Sequence, residues 1–236
     1  MLVRRLVLVL SIVVTGLLAL AVGVLGAGSG GLAPGSYTFT NKSASAFFGG
    51  KGPVTGPNFS VFVNQGLNSF EADDGTTTVT RSTIVIFTMF NPDGTGGTGC
   101  FVINPSDFVV SDGLQHASLH TNLNTGNQCP GFGKPLGPIQ AGVLPAGGKG
   151  GGLPPSIQVD LTWTGANVLS TTEDQFTFTC LDRQEEGTNT FSRSLGGSAS
   201  GTIAGVSGLS TLSADVASQD GQLEIQGSNT PPCFGK

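Results

Sequence analysis

The sequence predicts an all-β protein: an antiparallel β-sandwich of jelly-roll or immunoglobulin-like architecture, with a β-barrel as the alternative. Three observations carry this expectation. Only 11% of the 236 residues are charged while 38 are glycine, and no stretch combines Ala, Leu, Glu and Lys at helical period. A chain rich in Thr, Ser and Gly suits strands joined by tight turns. Period-two alternation recurs: Ile157, Val159, Leu161 and Trp163 alternate with Gln158, Asp160, Thr162 and Thr164, and Phe176, Phe178 and Cys180 alternate with Gln175, Thr177 and Thr179. Asp112-Gly113 and Asp220-Gly221 each lie between β-prone runs, the strongest short hairpin signal. Alternation alone does not separate a sandwich from a closed barrel, because both use it.

The first 27 residues are of another kind. Arg4 and Arg5 precede an apolar run from Leu6 to Ala27, which reads as an export signal, with Ala19-Leu20-Ala21 or Val24-Leu25-Gly26 as the cleavage site. The alternative is an uncleaved membrane anchor, an apolar helix, since about 20 apolar residues suffice to span a bilayer. The division expected is therefore 1–27 signal or anchor, 28–35 flexible leader, and 36–236 one β domain carrying a long Gly/Pro-rich loop over 129–155. Without residues 1–27 the chain keeps 8 basic against 15 acidic residues, a net charge of −7. Such a balance argues against nucleic acid, which needs a basic patch, and against electrostatic docking on anionic membranes. Membrane contact then comes only through an uncleaved first segment, and the expected location is secreted or at the cell surface. The first cysteine is Cys100, so no lipid-anchor cysteine ends the apolar run.

Taken in order, the candidate strands are Ser36 to Thr40, Asn58 to Asn64 with Phe59, Val61 and Val63 on one face, and Thr77 to Phe90 after the turn Glu71 to Gly75. The half Ile84 to Phe90 is apolar on both faces, which asks for cover on both sides. Asn91 to Gly99 reads as a loop. Cys100 to Val110 and Leu114 to Leu123 flank Asp112-Gly113, although Pro105 demotes part of the first to an edge or bulge. Ile157 to Trp163 and Phe176 to Cys180 read as a hairpin, in which Trp163 shares the apolar phase and so belongs to the core. After the acidic turn Leu181 to Gly187 come Thr188 to Ser194 and Ser198 to Ala204. Ser210 to Val216 and Gln222 to Gln226 form a last hairpin about Asp220-Gly221, with Val216 across from Ile225.

Four cysteines in an exported chain fit two disulfides. Counting back from the Asp112-Gly113 turn puts Cys100 across from roughly Asn124–Thr125, with Cys129 only a few residues beyond. The preferred pairing is therefore Cys100–Cys129, with Cys180–Cys233 stapling the tail. No spacing is C-x-x-C, so zinc and redox sites are not expected.

Four short pieces, VINPSDF from Val102, ASLHTNL from Ala117, VDLTWT from Val159 and SRSLGGSASGTIAG from Ser192, resemble a group of secreted, Gly/Ser/Thr-rich bacterial proteins. The resemblance implies an exported all-β protein and brings no activity with it. An immunoglobulin family assignment does not follow, because Trp163 lies far from Cys100 and Cys129 and Phe178 stands where a tyrosine belongs.

Little of the sequence is reaction chemistry. On a strand, the only two histidines, His116 and His120, share a face about 13 Å apart, too far for one metal. Asp73-Asp74 and Glu185-Glu186 are expected in solvated turns, where the alternatives are a carboxylate pair for glycoside hydrolysis or, over Glu71 to Thr76 and Asp93 to Thr98, calcium. No G-x-S-x-G elbow is present, and Gly147 to Gly152 is not a phosphate loop. Asn41-Lys42-Ser43 and Asn58-Phe59-Ser60 are sequons by pattern. The expected function is non-enzymatic: binding, adhesion or structure through an extracellular ligand or surface, with no cofactor and no metal. The alternatives are a secreted hydrolase of β-sandwich type and a membrane-anchored envelope protein. Convergence of any two or three of Asp107, Asp160, Asp174, Asp182 and His116 favours the hydrolase. If the sheet recognises a ligand, the wet face of Gln158, Asp160, Thr162, Gln175, Thr177 and Thr179 is where recognition is expected.

Overall fold

The computed structural model describes residues 33–49, 57–92, 96–130, 153–180 and 183–227. Among these, ten strands follow one another: β1 (Gly35–Gly49), β2 (Asn58–Ala72), β3 (Thr77–Phe90), β4 (Gly96–Val102), β5 (Phe108–Val110), β6 (His116–Asn124), β7 (Ser156–Cys180), β8 (Arg183–Ile203), β9 (Val206–Ser207) and β10 (Ser210–Gln226). All belong to a single antiparallel sheet in the order β4-β3-β2-β1-β10-β8-β7-β6-β5, with β9 on β8. The all-β expectation is met. Among the described residues no helix is long and apolar enough to cross a membrane. The segment 1–27, most of the leader, residues 131–152 of the long loop and Cys233 fall outside the described residues, and with them the expected signal helix and the Cys180–Cys233 disulfide.

The first and last strands, β1 and β10, pair at the middle of the sheet, and two meanders run outward from them. The far ends approach each other. Phe101 of β4 bridges Gln128 beyond β6, the Cys129 amide donates to the Cys100 carbonyl at 2.9 Å, and Cys100 and Cys129 form the expected disulfide with Cα atoms 5.3 Å apart. One core cluster draws residues from every strand except β9. Trp163 of β7 is fully buried, and its indole Nε1 donates to the Ser45 carbonyl of β1 at 2.7 Å. Those strands are not neighbours in the sheet, so the sheet curls until its inner faces meet. Each large apolar side chain removed from water there contributes roughly 1.5–3 kcal/mol.

The observed strands are fewer and longer than the sequence pattern indicates. The hairpin expected in Ile157–Cys180 is one 25-residue strand, β7, paired with β8 through register shifts at Gly165/Asn167, Val168/Ser170 and Thr172/Asp174. Such bulges let a long strand bend without ending. Thr188–Ser194 and Ser198–Ala204 likewise fuse into β8. Asp220-Gly221 is not a turn: both residues lie inside β10, opposite Thr40 and Phe39 of β1, and the hairpin signal is spent on a bulge against β8. Val216 therefore faces Ala44 and Leu195, not Ile225. Gly96–Gly99, expected in a loop, pairs with β3.

The stretch Cys100 to Val110 breaks at Pro105. A 3-10 turn, Pro105–Asp107, carries the chain from β4 to β5. There Gln65 Nε2 donates to the Pro105 carbonyl at 2.8 Å, and Thr121 Oγ1 donates to Asp107 Oδ2 at 3.1 Å. Gln65 Nε2 also donates to Thr83 Oγ1 at 3.3 Å, so Thr83 and Thr121 both have partners although they are buried among apolar neighbours: an unpartnered hydroxyl in that position is costly. The hairpin that follows is present, with Val110 opposite Ala117, but Asp112-Gly113 sits in a 3-10 turn and the loop is longer than two residues.

Candidate functional site

Strands β1, β2 and β10 change their buried face part-way along. In β1 the buried residues Ala44, Ala46 and Phe48 share one phase, whereas Tyr37 and Asn41 have the opposite one. In β2 the switch falls between Val63 and Gly66, and in β10 between Val216 and Ile225. The β1–β2 register runs unbroken through the change, so the side chains keep their alternation and the environment inverts. Tyr37 stacks on Phe70 with ring centroids 4.4 Å apart on what becomes the apolar side, where Ile225 is also buried. The face that lines the core higher up becomes polar below.

That polar continuation forms an open concavity of about 600 Å³ at the start of β1 and the end of β10. Its floor is an in-register row, Ser36 opposite Glu224, Glu224 opposite Glu186, and Glu186 opposite Thr177. Thr38, Gln222 and Gln175 lie one step further along the strands and also line it. Ser36 Oγ donates to Glu224 Oε2. Among the described residues the lining contains two carboxylates and no Lys, Arg or His, and no ion pair reaches either glutamate. The two glutamates are directly opposed on neighbouring antiparallel strands. Hydroxyls and amides supply donors and acceptors around them.

The residues singled out from the sequence are distributed elsewhere or differently. Gln175 and Thr177 line the concavity, but Gln158, Asp160 and Thr162 do not. The bulges in β7 separate the two groups, so the single wet face expected for them does not exist. Glu185 and Glu186 are in β8, not in a turn, and only Glu186 lines the concavity. Glu224, Gln222, Ser36 and Thr38 were not marked by sequence reasoning. Their signal was the polar continuation of the phase set by Ala44, Ala46, Ala214 and Val216.

His116 and His120 are exposed on the outer face of β6, as their spacing implies. His120 Nδ1 lies 3.2 Å from Asp160 Oδ1, with the side chains 63% and 40% exposed, a surface contact worth little at such exposure. Asp107 bonds Thr121 on the buried side of β6, away from Asp160, and Asp174 is fourteen residues further along β7 than Asp160. Asp182 falls outside the described residues. No group of three or more His, Cys, Asp or Glu among the described residues can hold a metal. Asp74 caps its turn: hydrogen bonds from the Thr76 side chain and backbone hold its carboxyl below the usual carboxylate range. Of the sequons, Asn41 is only 8% exposed, a poor acceptor for a bulky glycan.

No family model matches the chain, and no curated protein matches it. Among solved structures, an acetoacetate decarboxylase-like enzyme from Sphingomonas wittichii RW1 is similar over 84% of this chain and 95% of that one, at 11% identity and a TM-score of 0.28. A likeness that slight carries neither a fold nor an activity.

Proposed function

We propose that the protein is an exported, non-enzymatic binding protein of the Gly/Ser/Thr-rich bacterial type, and that it recognises a small polyhydroxylated ligand in the concavity at Ser36 and Glu224. The observation that carries this is the change of polarity on the core-side face, which gives a cavity of about 600 Å³, a size within the usual range for ligand sites. Its hydroxyl, amide and carboxylate lining matches the alternating donors and acceptors of a sugar. The joined ends of the sheet at Cys100–Cys129 favour the barrel over the sandwich. The same disulfide fits an oxidising compartment, in line with the basic and apolar opening of the sequence.

The test is a titration with neutral oligosaccharides followed by backbone amide shifts. Movement of Thr38, Gln175, Thr177 and Gln222, abolished by Thr38→Trp at unchanged melting temperature, is the expected result. No movement at these residues with any sugar sinks the ligand reading. The export reading is checked separately by mapping the N-terminus of the mature protein, which should begin beyond Ala21; an intact Met1 in the membrane fraction selects the anchored envelope protein.

A second reading, a secreted hydrolase, is favoured by one observation: Glu186 and Glu224 are direct cross-strand partners in the concavity. Retaining glycosidases place two carboxyl groups about 5–5.5 Å apart. Release of reducing ends from an oligosaccharide, lost in Glu186→Gln, would establish that reading.

A further inference from the structure

We infer that the ligand is a neutral polysaccharide chain that crosses the strands, and that the concavity is one stretch of a longer site reaching over β1 and β2 to β3. The inference rests on the binding reading above and adds the length and direction of the ligand. The short strands set where this site begins. The β3–β4 ladder stops at Ile84 opposite Val102, and the β6–β7 ladder stops at Thr164 opposite His116. Past those pairs β3, β2, β1, β10, β8 and β7 run on as six strands, and the face that lines the core above loses the strands that close it. Two rows cross that face in register. Thr77, Glu71, Ser36, Glu224, Glu186 and Thr177 form the first, and Val79, Ser69, Thr38 and Gln222 run beside it. Positions two apart on each strand keep both rows on one side of the sheet. The members on β1, β10, β8 and β7 line the concavity, and those on β2 and β3 extend it. Neighbouring strands lie about 4.8 Å apart, close to the rise of one sugar unit in an extended chain, so each strand can meet one unit. On the extension Val79 and, one step further along the strands beside Arg81, Leu67 are large apolar side chains exposed on a polar face. They suit the C–H face of a sugar ring, while Ser69 and Thr38 next to them suit its hydroxyls. A second copy of the chain fits this face less well. It would set a row holding Glu71, Glu224 and Glu186 against its own counterpart, and like charges facing across an interface disfavour it. The same row disfavours an anionic chain.

The test measures affinity and backbone amide shifts on the full chain with neutral oligomers of two lengths, disaccharide and hexasaccharide, of (1→4)-linked β-glucose and of N-acetylglucosamine. In at least one series the hexasaccharide is expected to bind about tenfold more tightly than the disaccharide, the worth of about two buried methylene groups, and to move the amides of Ser69 and Val79 as well as those of Thr38 and Gln222. Val79→Ser should lower the affinity for that hexasaccharide at least about threefold and leave the disaccharide unchanged. Val79 is 63% exposed, so the variant keeps the fold, which circular dichroism verifies. A tighter hexasaccharide that leaves Ser69 and Val79 unmoved has only the statistical advantage of a longer chain on a short site, and overturns the inference while the binding reading stands. Equal affinity at both lengths does the same. A doubled mass in sedimentation without sugar, with the Val79 amide protected from exchange, overturns it in favour of a second copy on this face. Failure of every probe to bind removes the binding reading itself, and this inference with it.

Discussion

Trp163 and Asp215 show how single side chains set the local energetics. Trp163 is the protein's one tryptophan, and it spans the interior to bond the Ser45 carbonyl. Trp163→Phe keeps an aromatic ring but loses that bond and opens a void, which should cost about 3 kcal/mol. Urea unfolding followed by far-ultraviolet circular dichroism measures it; a cost below 1 kcal/mol would mean the indole is not packed as described. Next to Ser45 in the sheet, its partner Asp215 is half-buried. Burial pushes the Asp215 carboxyl above the usual carboxylate range, opposed by the hydrogen bond from Ser45 Oγ. The consequence for stability has a definite sign. In strong acid both folded and unfolded forms hold the proton and the group is neutral in its effect. As pH rises, the unfolded chain releases its proton first, so the folded state loses stability until the folded carboxyl also ionises, and the deficit then persists. Asp215→Asn should therefore raise the melting temperature at pH 7, by about a few degrees, and change it little at pH 3. An equal shift at both pH values would rule out ionisation as the cause.

At the level of elements, the sequence pattern located strands well and their ends poorly. Thr77–Phe90 was legible in full, because its flanking turn Asp73–Gly75 is built from residues that favour turns. In β1 the alternation Tyr37, Phe39 stops at Asn41-Lys42-Ser43 and resumes in the other phase at Ala44, so a periodicity argument ends the strand where only its environment changes. The Asp220-Gly221 signal failed for a different reason: β10 has partners on both sides, and tertiary pairing overrode the local turn preference. The tight turn that the sequence did not announce is Ala204-Gly205, between Ile203 and Val206, with both residues at positive φ (52° and 78°). This is a type I′ pattern, which favours Asn-Gly, and alanine there pays the left-handed penalty that asparagine largely avoids. Ala204→Asn should accordingly stabilise the fold by about 0.5–1 kcal/mol, measured as a higher denaturation midpoint at unchanged slope. The concavity was hardest to read, because its residues come from four strands and share only an inherited phase.

For the whole molecule, the decisive link is the one between the sheet's two ends. The Cys100–Cys129 disulfide closes a loop with a sequence separation of 29 residues, so chain-entropy arguments put its contribution near ~3–4 kcal/mol. Cys100→Ser/Cys129→Ser, or reduction by a dithiol, should lower stability by that amount. The expected opening is at the β4–β6 seam, seen as faster amide exchange at Phe101 and Gln128 than at Val61 or Leu161. Uniform loss of protection across the sheet would show instead that the bridge acts only on the unfolded chain. The register of the outermost strands in sequence has one more consequence. Gly35 at the start of β1 faces Ile225 near the end of β10, so both strand ends leave from the same rim of the molecule, beside Ser36 and Glu224. A force that draws those two ends apart meets the β1–β10 ladder one pair at a time, in peeling rather than in shear. The middle of the strand order is thus also where a mechanical load would part the sheet first.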